Sequence, residues 1–102
     1  MKIAIAANTR DSGALVAMHA ARAPFYLFYD EEGTLLDVIV NPYSSIERGA
    51  APRVAHMLPE HGIETLVAGE FGGKFITLLE QSNINIVPGS GLVSEVIKEV
   101  LA

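Results

Sequence analysis

Apolar and polar positions fall along the chain in short blocks whose spacing changes from strand-like to helical and back. The run Ile3-Ala4-Ile5-Ala6-Ala7, closed by the polar stretch Asn8-Thr9-Arg10-Asp11-Ser12-Gly13, predicts a buried strand. Residues 8–24 form a long connection, in which Ala14 to Ala21 are expected to make a short helical turn. Phe25-Tyr26-Leu27-Phe28-Tyr29 is aromatic and strand-forming. Asp30-Glu31-Glu32-Gly33 turns the chain and Leu35 to Val40 returns it, so this stretch predicts a β-hairpin. Asn41-Pro42 ends the second arm, because proline restricts the residue before it and has no N–H for a ladder. From Arg48 to His61 the spacing becomes helical, with Ala51, Val54, Ala55 and Leu58 three or four apart. Pro59 predicts a kinked or frayed last turn there, and Gly62 a stop. Thr65 to Ala68 is a short strand, and Phe75, Ile76, Leu78 and Leu79 mark one face of a short helix. Ile84 to Val87 is a last strand, and Val93, Val96, Ile97, Val100 and Leu101 form an amphipathic closing helix.

The predicted order is β-β-β-α-β-α-β-α. Three strands form an antiparallel meander, and right-handed crossovers add two strands parallel to the first. This α/β arrangement, a mixed five-stranded sheet flanked by helices, resembles the ribonuclease H-like motif. At 102 residues the chain holds one domain, 1–102, and no second core fits beside it. Half the residues are hydrophobic and 19% are charged, a globular profile.

Chemistry narrows next. The absence of cysteine excludes disulfides, thiolate zinc sites, cysteine-ligated clusters and a cysteine nucleophile. No apolar run is long enough for a signal peptide or membrane span, which leaves a cytoplasmic protein as the expectation. The net charge of −5 argues against a nucleic-acid-coating surface. On the predicted layout, however, the charges separate. Arg10, Arg22, Arg48, Arg53, Lys74 and His19 fall in or beside loops at the carboxyl ends of the parallel strands, where open α/β sheets bind ligands. Asp30, Glu31, Glu32, Glu60, Glu64 and Glu80 fall at the opposite turns. Helix N-termini near residues 48, 73 and 92 add partial positive charge to the basic edge.

Gly69-Glu70-Phe71-Gly72-Gly73-Lys74 joins a strand to a helix, and its glycines admit either an anion or simply a tight turn. It has neither P-loop nor dinucleotide-binding spacing. His19 is the best metal ligand in a cysteine-free chain, with Met18 beside it as a soft donor. His56 and His61, five apart, do not share a helix face. The first strand carries no acidic residue and Asp37 has no evident partner, so the carboxylates of two-metal nuclease chemistry are missing. Ser44 and Ser45 lack a triad, and no nucleophile elbow occurs.

The run His19-Ala20-Ala21-Arg22-Ala23-Pro24-Phe25-Tyr26-Leu27, taken with Asn41-Pro42, Val67-Ala68-Gly69-Glu70-Phe71-Gly72 and the closing helix, resembles the dinitrogenase iron–molybdenum cofactor biosynthesis family over nearly the whole chain. His19, Arg22, Ala23 and Pro24 match the family pattern. Ala17, Ala20, Ala21 and Glu70 stand where it has Ser, Phe, Gly and Gly. The resemblance implies a ribonuclease H-like fold without nuclease chemistry, and non-covalent holding of an iron–sulfur or molybdenum-containing cluster. The leading expectation is therefore a non-enzymatic carrier. His19, Arg22, Arg10, Arg48, Gly69, Gly72, Gly73 and Lys74 would bind the cluster or anion, with His19 as its one metal ligand. Expected partners are the cluster or a small anion and cofactor-assembly proteins, with the chain a monomer or weak homodimer. Two other readings stand beside it: a regulatory or protein-interaction domain without metal, and an enzyme acting on an anionic small molecule at the Gly69–Lys74 loop.

Overall fold

The computed structural model describes residues 2–11 and 13–102, so Met1 and the Ser12 of the predicted polar stretch lie outside the described residues. Its strands are β1 (Lys2–Ala7), β2 (Phe25–Tyr29), β3 (Leu35–Val40), β4 (Ile63–Ala68) and β5 (Asn85–Pro88). The helices are α1 (Ala50–Glu60), α2 (Gly73–Gln81) and α3 (Val93–Leu101). The strands form one mixed sheet in the order β3-β2-β1-β4-β5. β1, β2 and β3 pair antiparallel, while β4 runs parallel to β1 and β5 parallel to β4.

β1 divides the core by alternation, since successive side chains of a strand point to opposite faces. Ala4 and Ala6 face one layer, where Tyr26, Phe28, Leu66 and Phe75 fill the space under α1 and α2. Ile3, Ile5 and Ala7 face the other, against Val93, Val96 and Ile97 of α3. Small residues on one side of β1 are thus matched by large ones from its neighbours, which close packing requires.

The helix ends follow their sequence signals. Pro59 removes an amide from the last turn of α1, and the helix closes with shorter-range bonds: His61 N–H to Leu58 O at 3.1 Å and Gly62 N–H to Pro59 O at 3.0 Å. Gly62 then takes φ +75°, the left-handed conformation that ends many helices.

The predicted helical turn over Ala14–Ala21 is not formed. Leu15, Val16 and His19 sit in isolated β-bridges, and only Ala20–Arg22 makes a single 3-10 turn. The backbone of this stretch is committed to other strand ends. Val16 N–H bonds Gly91 O, Ala17 N–H bonds Ala6 O, and Ala17 O and Met18 O accept from Gly69 and Glu70. Groups engaged in this way cannot close helical turns.

A buried polar node holds the turn in place. Asn41, only 2% exposed, donates through Nδ2 to Ala23 O at 2.9 Å and Ala21 O at 3.2 Å, and its Oδ1 accepts from Tyr43 N–H at 2.9 Å. The buried Tyr26 hydroxyl donates to Ala20 O. Burial pushes the Tyr26 pKa up, and half-buried Tyr29 shifts the same way for the same reason. The fold therefore favours the neutral phenol. That part of its stability is complete below the ordinary tyrosine pKa near 10 and is lost as pH rises past it. Asn41→Ala, which strands two carbonyls and an amide, should lower stability by about 2–4 kcal/mol in urea denaturation. Tyr26→Phe should cost about 1 kcal/mol at neutral pH and lose less than wild type between about pH 9 and 11.

Candidate functional site

The carboxyl ends of β1, β4 and β5 and the N-termini of all three helices meet at one edge of the sheet, while the acidic β2–β3 turn and the far ends of α1 and α2 lie at the other. At the edge where the parallel strands end, the chain builds two adjoining clefts that share His19 and Arg22. The first, about 330 Å³, lies between the 19–22 segment, Ala51 of α1 and the loop running from Glu70 to Phe75; Lys74 and Gly72 line it. The second, about 370 Å³, lies on the other side of the segment, bounded by Asn8, Leu15, Met18, Pro24 and Gly91.

The wall carrying His19 is positioned by backbone. His19 and Glu70 form a parallel bridge, in which Glu70 N–H donates to Met18 O at 2.6 Å and Ala20 N–H to Glu70 O at 3.1 Å. The sheet thus continues past β4 along the 17–20 segment. This contact explains Gly69, where a Cβ would sit 2.9 Å from the Met18 Cα and 3.1 Å from its carbonyl oxygen. Gly69 is needed for close backbone approach, and it lines neither of the two clefts. Gly72 and Gly73 differ, with open space where a Cβ would stand. Gly72 caps α2 with no side-chain oxygen, so the first-turn amides of this nine-residue helix have no cap from it.

The predicted basic residues do not converge as one set. Lys74 lines the first cleft. Arg22 lines both, but its guanidinium also donates to Ile46 O and, at 3.4 Å, to Glu47 O, which fastens the loop before α1 to the cleft wall. Arg10 lies over the Phe25 ring at 5.7 Å and lines a separate cavity with Tyr29 and Val93. Arg53 lies over the Tyr43 ring at 5.9 Å. Arg48 is exposed in the loop ahead of α1 and lines neither cleft. Glu70, an acidic residue, lines the first cleft alongside His19, Arg22 and Lys74.

Several contributors carried little signal in the sequence. Phe71 and Phe75, with rings stacked at 6.4 Å, build an aromatic wall, whereas a linear pattern places Phe71 in the loop and Phe75 on the helix face. Ala51 lies more than 20 residues from the rest of the cleft wall formed by His19 to Arg22. Asn41 reads as a strand terminator before proline, and its amide supports the cleft from beneath. Among the described residues no three His, Cys, Asp or Glu side chains gather where they could hold a metal ion. No described helix is long and apolar enough to cross a membrane.

An α/β domain with an open, partly basic cleft at the carboxyl ends of its parallel strands is the class that this fold and site define. The chain belongs to the dinitrogenase iron-molybdenum cofactor family, whose model matches residues 1–102. Among solved structures, the apo form of the orange protein from Desulfovibrio gigas superposes with a TM-score of 0.89 over 98% of this chain and 86% of that one, at 21% identity. A Thermotoga protein provisionally assigned as NifB gives 0.82 over 97% and 85%, at 27% identity. A Methanocaldococcus jannaschii protein provisionally assigned as a dinitrogenase gives 0.62 over 99% and 88%, at 12% identity, a likeness of fold alone, as is that to the orange protein. No curated protein matches the chain.

The two kinds of glycine in the loop separate by substitution. Gly69→Ala should lower stability by about 1–3 kcal/mol through collision with the Met18 backbone. Gly72→Ala and Gly73→Ala should change it by no more than about 1 kcal/mol, in either direction, in the same urea titration.

Proposed function

We propose that this chain binds and carries an anionic metal–sulfur cluster or related oxo- or thio-anion, without transforming it, in the cleft between His19–Arg22 and Gly72–Phe75. The observation that carries this reading is the meeting of His19, Arg22, Lys74 and the uncapped N-terminus of α2 around one open cleft. Family membership supports it, because the family is described by the iron–molybdenum cofactor of dinitrogenase. The orange protein, solved in an apo form, shares the fold.

The donor set suits a cargo held by charge. Arg22 and Lys74 supply charge-assisted donors, α2 supplies first-turn amides, and His19 supplies one imidazole nitrogen for a metal atom. Glu70 opposes them, so the cleft is positive by a small margin. One metal ligand and a modest field favour reversible holding, which a carrier needs. Leu15, Met18 and Leu92, 49%, 52% and 39% exposed, lie near this edge and would offer apolar surface to a cofactor-assembly protein receiving the cargo.

Anaerobic titration with tetrathiomolybdate, followed by visible absorbance and calorimetry, tests the reading. Wild type should take up the anion, and affinity should fall as salt is raised. His19→Ala and Lys74→Glu should each weaken uptake about tenfold, and Glu70→Gln should tighten it about two- to fivefold. Absence of uptake by wild type, or affinity indifferent to all three substitutions, would sink the proposal.

A further inference from the structure

The two open edges of the sheet are protected differently. β5 spans four residues and ends in Pro88, which has no N–H to offer a neighbouring strand. β3 spans six residues, Leu-Leu-Asp-Val-Ile-Val, without proline or lysine. Leu35, Leu36 and Val40 are 48%, 48% and 57% exposed. A proline-free apolar strand at a sheet edge is a template for pairing with another chain.

The direction of its free groups can be read from its end. Asn41 N–H turns inward to Pro24 O at 3.0 Å. Backbone direction alternates along an antiparallel strand, and residues 37–40 pair with β2 without interruption. Ile39 and Asp37 therefore aim their N–H groups at β2, while Val40 and Val38 aim theirs outward. The outward Val38 N–H is already taken, because the carboxylate of Asp37, the one charged residue in β3, accepts it through Oδ1 at 2.8 Å.

We propose that Asp37 is an edge guard, and that the surface it guards fits a second copy of this chain. A two-fold axis at Val38 sets Val38 against Val38 of the second copy, Leu36 against its Val40 and Asp37 against its Ile39. This register keeps every side chain on its own face of the sheet and mates the exposed Leu36 with the exposed Val40. Its central exchange of hydrogen bonds requires the Val38 N–H that Asp37 holds. A register centred on residue 37 instead sets two carboxylates face to face. The guarded chain stays single, and loss of the guard yields a closed pair joining two sheets, since an isologous contact uses up both β3 edges.

Sedimentation velocity on the full chain, from about 10 to 500 μM, tests this. Wild type and Asp37→Asn, which keeps a side-chain oxygen at the same reach, should remain monomeric. Asp37→Ala should dimerise with at least about tenfold tighter self-association than wild type. Adding Val38→Pro to Asp37→Ala should restore the monomer, because proline removes the outward N–H at an edge position that tolerates it. Three outcomes overturn the proposal: an Asp37→Ala protein that stays monomeric at the highest concentration, a wild type that dimerises as tightly as Asp37→Ala, or a dimer that survives Val38→Pro. Melting curves on each variant, expected to match wild type because Asp37 is exposed in the monomer, separate a change in self-association from a loss of folding.

Discussion

The cleft depends on a side-chain amide that does not touch it. Asn41 lies beneath the 3-10 turn, and its two N–H bonds satisfy carbonyls that the turn itself cannot. Tyr26 does the same for Ala20 from the neighbouring strand. A buried carbonyl without a partner is costly, so these bonds matter more for what their loss exposes than for what each contributes. They fix the start of β2, the end of β3 and the segment bearing His19 and Arg22 as one piece. Arg22 extends the arrangement outward by tying the loop ahead of α1 to the same wall. The cleft therefore stands on the hairpin as much as on the strand ends that surround it.

Charge works differently at this edge than its loop positions suggest. Grouping the basic residues by loop implies a continuous positive rim, but their side chains are engaged in different ways. Two guanidinium groups lie over aromatic rings, a third is partly engaged by carbonyl oxygens, and the acidic Glu70 lines the same cleft as Lys74. The field at the site comes from a few groups in fixed positions together with helix dipoles, and a large net charge is absent.

The element order and the strand directions were legible because alternation, helical spacing and right-handed crossovers each leave a local trace. β2, β3 and α3 lie where the pattern of apolar residues places them. The segment from Ala14 to Ala21 was not legible, for a physical reason. Alanine-rich stretches favour helix, and nothing local announces that Val16, Ala17 and Met18 will bond to residues about ten to seventy-five positions away in sequence. The same holds for the site. His19 and Lys74 could be placed from strand ends, whereas the reason for Gly69 lies in the Met18 backbone against it. The tethering of Arg22 likewise depends on carbonyls more than 20 residues distant.

The bridge between His19 and Glu70 also bears on kinetics. Both walls of the first cleft are joined by backbone hydrogen bonds that continue the sheet, so no hinge separates them. For the proposed cargo, residence time would then be set by how readily water and salt replace the contacts of a few side chains at this mouth. On the proposed carrier reading, hand-over would proceed by competition at an open surface.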